Sequence, residues 1–118
     1  MDFKTNKPIY QQIIDYCFNK IFAQEWIEES KVPSVRELAM ELSVNTHTVL
    51  KAYEYLQAEE IIYAKRGLGF FLAINAKEQV NIARREEFYN TTLNEVFHEM
   101  ERLQISIEDI INHYNNRK

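Results

Sequence analysis

Lys65, Arg66, Gly67 and Gly69 stand together in the stretch AKRGLGFFL, and these two glycines are the only ones in 118 residues. Two cations beside a glycine-bearing backbone suit the binding of phosphate oxygens: the charges attract the anion, and a chain without side chains lets it approach closely. Upstream, Asn45, Thr46 and His47, with Lys51 about a turn further on, supply hydrogen-bonding groups and a cation at helical spacing. Bond-making chemistry has no comparable support. His47, His98 and His113 form no i,i+4 pair and Cys17 is the single cysteine, so no metal-ligand spacing occurs. His98 beside Glu95, Glu99 and Glu101 reads as a solvated helix face. KRGLGFF lacks the third glycine and the following helix of a dinucleotide fingerprint, and neither a nucleophile elbow nor a P-loop is present. No catalytic residue, metal or cofactor is expected, and the chain does not read as an enzyme.

The elements that must position these residues carry their own punctuation. Ser34 followed three residues later by Glu37 is a capping box, in which the serine oxygen and the glutamate carboxylate each accept from the other's amide. A helix therefore starts there, with Val35, Leu38, Ala39 and Leu42 as its apolar stripe. Ser43, Val44 and Asn45 break the period, and Asn45 caps a second helix whose stripe is Val49, Ala52, Tyr53 and Leu56. Two short helices joined by a tight turn have the proportions of a helix-turn-helix, although pairs of this size also serve protein-binding modules. In the helix-turn-helix geometry Asn45, Thr46, His47, Leu50 and Lys51 face outward, toward a major groove. Leu50 there either meets a thymine methyl or packs inward.

The β-branched and aromatic runs Ile61–Lys65 and Phe70–Ile74 flank the glycines as a β-hairpin. Behind a helix-turn-helix such a hairpin is a wing, suited to phosphates or a minor groove, and the alternative is a plain tight turn with solvated charges. An earlier helix runs from Pro8 to about Gln24 with Ile9, Ile13, Ile14, Cys17, Phe18, Ile21 and Phe22 on one face. Cys17 reads as buried, whereas a redox-sensing thiol would need exposure and a lowered pKa. QEWIEESK is a connector with Trp26 and Ile27 packed inward.

PIYQQI at Pro8–Ile13, PSVRELA at Pro33–Ala39, the VNTHTVLKAYEYL stretch and the RGLGFF hairpin resemble, in order and spacing, the winged-helix domain of GntR-type bacterial transcription regulators. The short remaining tail resembles the YtrA-like branch. The resemblance implies that Arg36 contacts the DNA backbone or a base edge, that Asn45, Thr46 and His47 begin the recognition helix, that Arg66 and Gly67 act at the wing tip, and that Lys51 contacts a phosphate. It also implies control of a neighbouring transporter operon. The chain departs from the family pattern at Glu28 and Glu29, at Thr46 and His47, and at Leu50, so base preference does not transfer.

From Ala76 to about Leu103, Ile82, Tyr89, Leu93, Val96, Met100 and Leu103 fall on alternating spacings of three and four over the later turns, widened by Phe88 and Phe97, which predicts one long amphipathic helix. Ser106, with Asp109 three residues on, caps a last helix with Ile107, Ile110, Ile111 and Tyr114 on one face. Such a two-helix hairpin has more apolar surface than it can bury alone, so pairing with a second copy is expected, the alternative being a monomer whose tail folds over its own winged domain. A small-molecule effector of unknown identity is a further expected partner, bound between tail and winged domain.

Hydrophobic residues make up 46% and charged residues 27% of the chain, and two glycines and two prolines leave few helix breakers. The fold class expected is mainly α with a small β-hairpin: a winged helix-turn-helix over residues 1–74 and a C-terminal two-helix dimerisation hairpin over 75–118. No apolar run is long enough to cross a bilayer and MDFKTNKPIY has no signal-peptide core, so a cytoplasmic protein without membrane partner is expected. A net charge of −4 argues against a coat for nucleic acid and leaves room for a small basic face. The functional expectation is a homodimeric, sequence-specific repressor on an inverted-repeat operator in double-stranded DNA. The alternative is a winged-helix protein-interaction module that does not read DNA sequence.

Overall fold

The computed structural model describes residues 7–117; MDFKTN, at the start of the chain, and Lys118 lie outside the described residues. Helix α1 spans Ile9–Phe22 behind Pro8, whose φ of −54° is already suited to a first turn. It stops two residues short of the expected Gln24, because Gln24 takes a left-handed φ of 61° and the amides of Glu25 and Trp26 fold back onto the Lys20 carbonyl. Trp26 is buried as expected, but Ile27 is 61% exposed. The physical reason is the turn closed by the Ser30 amide on the Ile27 carbonyl, which carries Ile27 outward before the chain straightens.

The connector then does something its composition does not announce: it lies along the hairpin. Glu29 N donates to Leu72 O at 2.7 Å, Leu72 N to Ser30 O at 3.0 Å, and Val32 N to Phe70 O at 3.0 Å. Strands β1 (Ile62–Lys65) and β2 (Gly69–Leu72) pair antiparallel, with Ile62 opposite Leu72 and Lys65 opposite Gly69. One edge of β2 is thus covered by residues 29–32, which stops it from offering unpaired groups to another chain.

Helix α2 (Val35–Leu42) begins on the expected capping box, with Glu37 N to Ser34 Oγ at 3.0 Å and Ser34 N to Glu37 Oε1 at 2.8 Å. Ser43 ends it at φ 56°, and Asn45 Oδ1 accepts from His47 N at 2.7 Å to open α3 (Thr46–Ala58). The core lies among these helices and the hairpin: Ile13, Cys17, Phe18 and Ile21 of α1, Leu38 of α2, Val49, Tyr53 and Leu56 of α3, and Ile62 and Leu72 of the strands are all essentially inaccessible. Burial of that apolar surface is the main term holding α1, α2, α3 and the hairpin in one arrangement.

The chain divides into two units after Ile82, later than the boundary expected at residue 74. Ala76 and Val80, in the first turns of α4 (Ala76–Glu87), are fully buried, so the start of the tail belongs with the first unit. The single long helix expected to Leu103 is interrupted. A π-helical turn, Phe88–Thr92, separates α4 from α5 (Leu93–Leu103), with Leu93 N donating to Phe88 O. Asn90, Thr91 and Thr92 are poor α-helix formers, and the Asn94 side chain donates to the Asn90 carbonyl at 2.9 Å, satisfying an acceptor in the widened turn. Helix α6 (Ile107–Asn116) starts on a second capping box between Ser106 and Asp109. No residue of α5 or α6 is buried.

Candidate nucleic-acid interface

Arg36 lies in the first turn of α2, Thr46, His47 and Lys51 on α3 behind its cap Asn45, and Lys65, Arg66 and Gly67 at the end of β1 and in the turn; all eight are exposed. The capping bond to His47 N engages one lone pair of the Asn45 side-chain oxygen and leaves both of its amide N–H donors open to a partner. Leu50 is 41% exposed, on the outward side of α3. Opposite it Val49, Ala52 and Tyr53 are fully buried, and this contrast fixes which face of α3 is open.

The turn explains the glycines. Gly67 has φ +78° and a Cβ there would meet nothing within 4 Å, whereas Gly69 has φ +107° and a Cβ would come within 3.0 Å of Lys31 Cε. Gly67 therefore supplies a left-handed turn at an open tip, and Gly69 both a left-handed φ and room for the Lys31 side chain to pass. Lys31 thereby brings a further cation to the hairpin, at Gly69. Sequence reasoning missed it, because only the pairing of the connector with β2 brings it there.

Electrostatically, Arg36, Lys51, Lys65 and Arg66 form no ion pair among the described residues. Two of these cations are held by aromatic rings instead. Lys51 Nζ stands 4.0 Å from the centroid of Tyr10, and Lys65 Nζ lies 4.4 Å from that of Phe71 and 5.9 Å from that of Tyr63. The Lys65 ammonium is thus folded back over the hairpin face rather than projecting from the tip. Tyr10 is the second residue the sequence reading left unassigned.

Behind this surface the titratable groups are structural. Burial pushes the Cys17 thiol far above the ordinary thiol range and does the same to the Tyr53 hydroxyl. Desolvation, helped by the bond to the Glu41 carboxylate, raises Tyr16. A helix pair presenting polar and cationic groups, backed by a hydrophobic core and flanked by a glycine-tipped cationic hairpin, is a winged helix-turn-helix DNA-binding unit.

Comparison with known proteins gives the class its family. Residues 9–72 match "Bacterial regulatory proteins, gntR family", and the chain belongs to that family as a DNA-binding transcriptional regulator. It is 40% identical over 77 residues to the HTH-type transcriptional repressor YtrA of Bacillus subtilis, a match spanning 65% of this chain and 59% of YtrA. A structure described as a GntR-family transcriptional regulator from Bacteroides thetaiotaomicron is 41% identical, covers 92% of this chain and 94% of its own, and superposes with a TM-score of 0.73. The DNA-binding domain of AraR, solved in complex with operator ORR3, is 26% identical over 62% of this chain and 88% of its own, with a TM-score of 0.55. These relatives are regulators rather than enzymes. Among the described residues no helix is long and apolar enough to cross a membrane.

None of the tail residues expected to join two copies is buried in the single chain. Tyr89, Val96, Phe97, Leu103, Ile107, Ile110, Ile111 and Tyr114 are exposed in the single chain, and Leu93 and Met100 are half-buried.

Proposed function

We propose that the protein works in the cytoplasm as a homodimeric repressor that reads an inverted-repeat operator, one winged unit per half-site. The observation that carries this reading is the set of cations without carboxylate partners, Arg36, Lys51, Lys65 and Arg66, on the exposed side of the helix pair and wing. Phosphates are the partners that would neutralise them, releasing counterions. Thr46, His47 and the Asn45 amide are the groups offered to base edges, with Leu50 available to a thymine methyl. The likeness to the YtrA repressor and to an operator-bound AraR domain supports the same reading.

Dimerisation rests on the exposed apolar residues of α5 and α6, which a second copy would cover. It also supplies affinity, since linking two reading heads converts the second contact into an intramolecular event that raises avidity by roughly 10² to 10⁴. An effector would act by shifting operator affinity. The test is to replace Arg36 and Arg66 by alanine and follow binding to duplex DNA as salt rises. Loss of affinity with a shallower salt dependence supports the reading; unchanged binding contradicts it and points to the protein-interaction alternative.

A further inference from the structure

We infer that Tyr10 is a positioning residue for operator binding: its ring holds the Lys51 ammonium in place for a phosphate. This rests on the DNA-binding reading above and adds to it a residue outside the helix pair and the wing.

Lys51 lies on the exposed side of α3, about a turn beyond Thr46 and His47, and its Nζ stands 4.0 Å from the centroid of the half-buried Tyr10 ring. Tyr10 belongs to the first turn of α1, and α1 is locked to α3 by the buried faces of Ile13, Cys17, Val49 and Ala52. The ring is therefore a fixed platform, not a mobile neighbour. A lysine side chain is flexible, and ordering it upon binding costs rotamer entropy. A carboxylate could order it beforehand but would cancel the charge a phosphate must meet. An aromatic face attracts the ammonium through its quadrupole while leaving the full positive charge in place. Lys51 has no ion-pair partner among the described residues, so the ring is what orders it.

The experiment uses the full chain and an operator duplex recovered by selection, with Kd measured over a range of salt concentrations for the parent, Tyr10→Phe, Tyr10→Leu, Lys51→Ala and the Tyr10→Leu/Lys51→Ala pair. Thermal unfolding of each variant confirms that it is folded at the assay temperature. Lys51→Ala should weaken binding and reduce the slope of log K against log salt by about 0.9, the value for one lost phosphate contact. Tyr10→Leu should weaken binding about 2- to 5-fold, Tyr10→Phe should restore parental affinity because it keeps the ring, and the double variant should bind no more weakly than Lys51→Ala alone. Additive losses in the double variant, an unaffected Tyr10→Leu, or equal losses in the Phe and Leu variants would each overturn the inference, the last by assigning the effect to the hydroxyl. If Lys51→Ala leaves operator binding intact, this inference fails while the DNA-binding reading stands. If the parent binds no duplex, both fail.

Discussion

The hydroxyl of Tyr53, in the middle of α3, donates to the carbonyl oxygen of Pro33 at 2.6 Å. Its ring meets Trp26 and Phe70 edge-on, with centroids 6.5 and 5.2 Å away. One buried side chain thus ties the recognition helix to the connector on one side and to the wing on the other. Tyr53→Phe, which removes only the hydrogen bond, should cost about 1 kcal/mol, and Tyr53→Ala about 3–5 kcal/mol because it also leaves a cavity. Denaturant titration measures both. Equal effects of the two changes would show that the ring contacts contribute nothing.

Cys17 is buried completely, and burial holds its thiol well above the ordinary range, so at neutral pH it is protonated as well as inaccessible. A thiol reagent needs the thiolate and a path to it. Native protein should therefore label only as fast as it opens, and completely once denaturant is added. Rapid labelling of the native protein, monitored by mass, would contradict the packing of α1.

The Ser34 amide, donating to the Glu37 carboxylate, holds that carboxyl below the ordinary glutamate range, with the Ser34 hydroxyl second. A depressed folded value means the contribution is present above the unfolded pKa and is lost as pH falls through the folded one. Glu37→Gln should accordingly flatten the decline of stability on the acid side of the ordinary glutamate range and leave its shape near neutrality unchanged. Denaturation midpoints collected down the acid limb decide this; an identical decline in both proteins would remove the capping box as its cause.

Val96 is 41% exposed in the single chain, so Val96→Asp should leave the folding of each chain within about 0.5 kcal/mol of the parent. In a dimer it would place a charge in an apolar seam. Sedimentation should then give the mass of one chain, and operator affinity should drop by roughly 10² to 10⁴ as avidity is lost. A parental mass for the variant would remove this face from the dimer.

What the sequence disclosed follows from how local each signal is. The Ser34 and Ser106 capping boxes and the Asn45 cap involve residues two or three apart, and all three stand where the sequence predicts. The glycines marked the wing because a left-handed turn at its tip favours them. Yet the chain also adopts left-handed φ at Gln24, Glu29, Ser43, Glu60 and Gln104, where no glycine signals the turn; Ser43 and Gln104 are the C-caps that end α2 and α5. The pairing of residues 29–32 with β2 joins segments far apart in sequence, so Lys31 was not legible as a wing cation. The π turn escaped for a different reason: Ile82, Tyr89, Val96 and Leu103 keep a seven-residue repeat straight through it, and a hydrophobic period does not register one residue inserted into the helix. Tyr10 read simply as part of PIYQQI, since its partner Lys51 reaches it only across the α1–α3 packing.

The measurement closest to the central claim is selection of random duplex DNA by the purified protein at near-physiological salt, repeated with Arg66→Ala. A dimeric reader predicts enrichment of an inverted repeat with half-sites about one helical turn apart, lost or blurred in the variant. Recovery of no preferred sequence, with binding that vanishes as salt rises, would contradict it and leave the helix pair and wing as a surface for a protein partner.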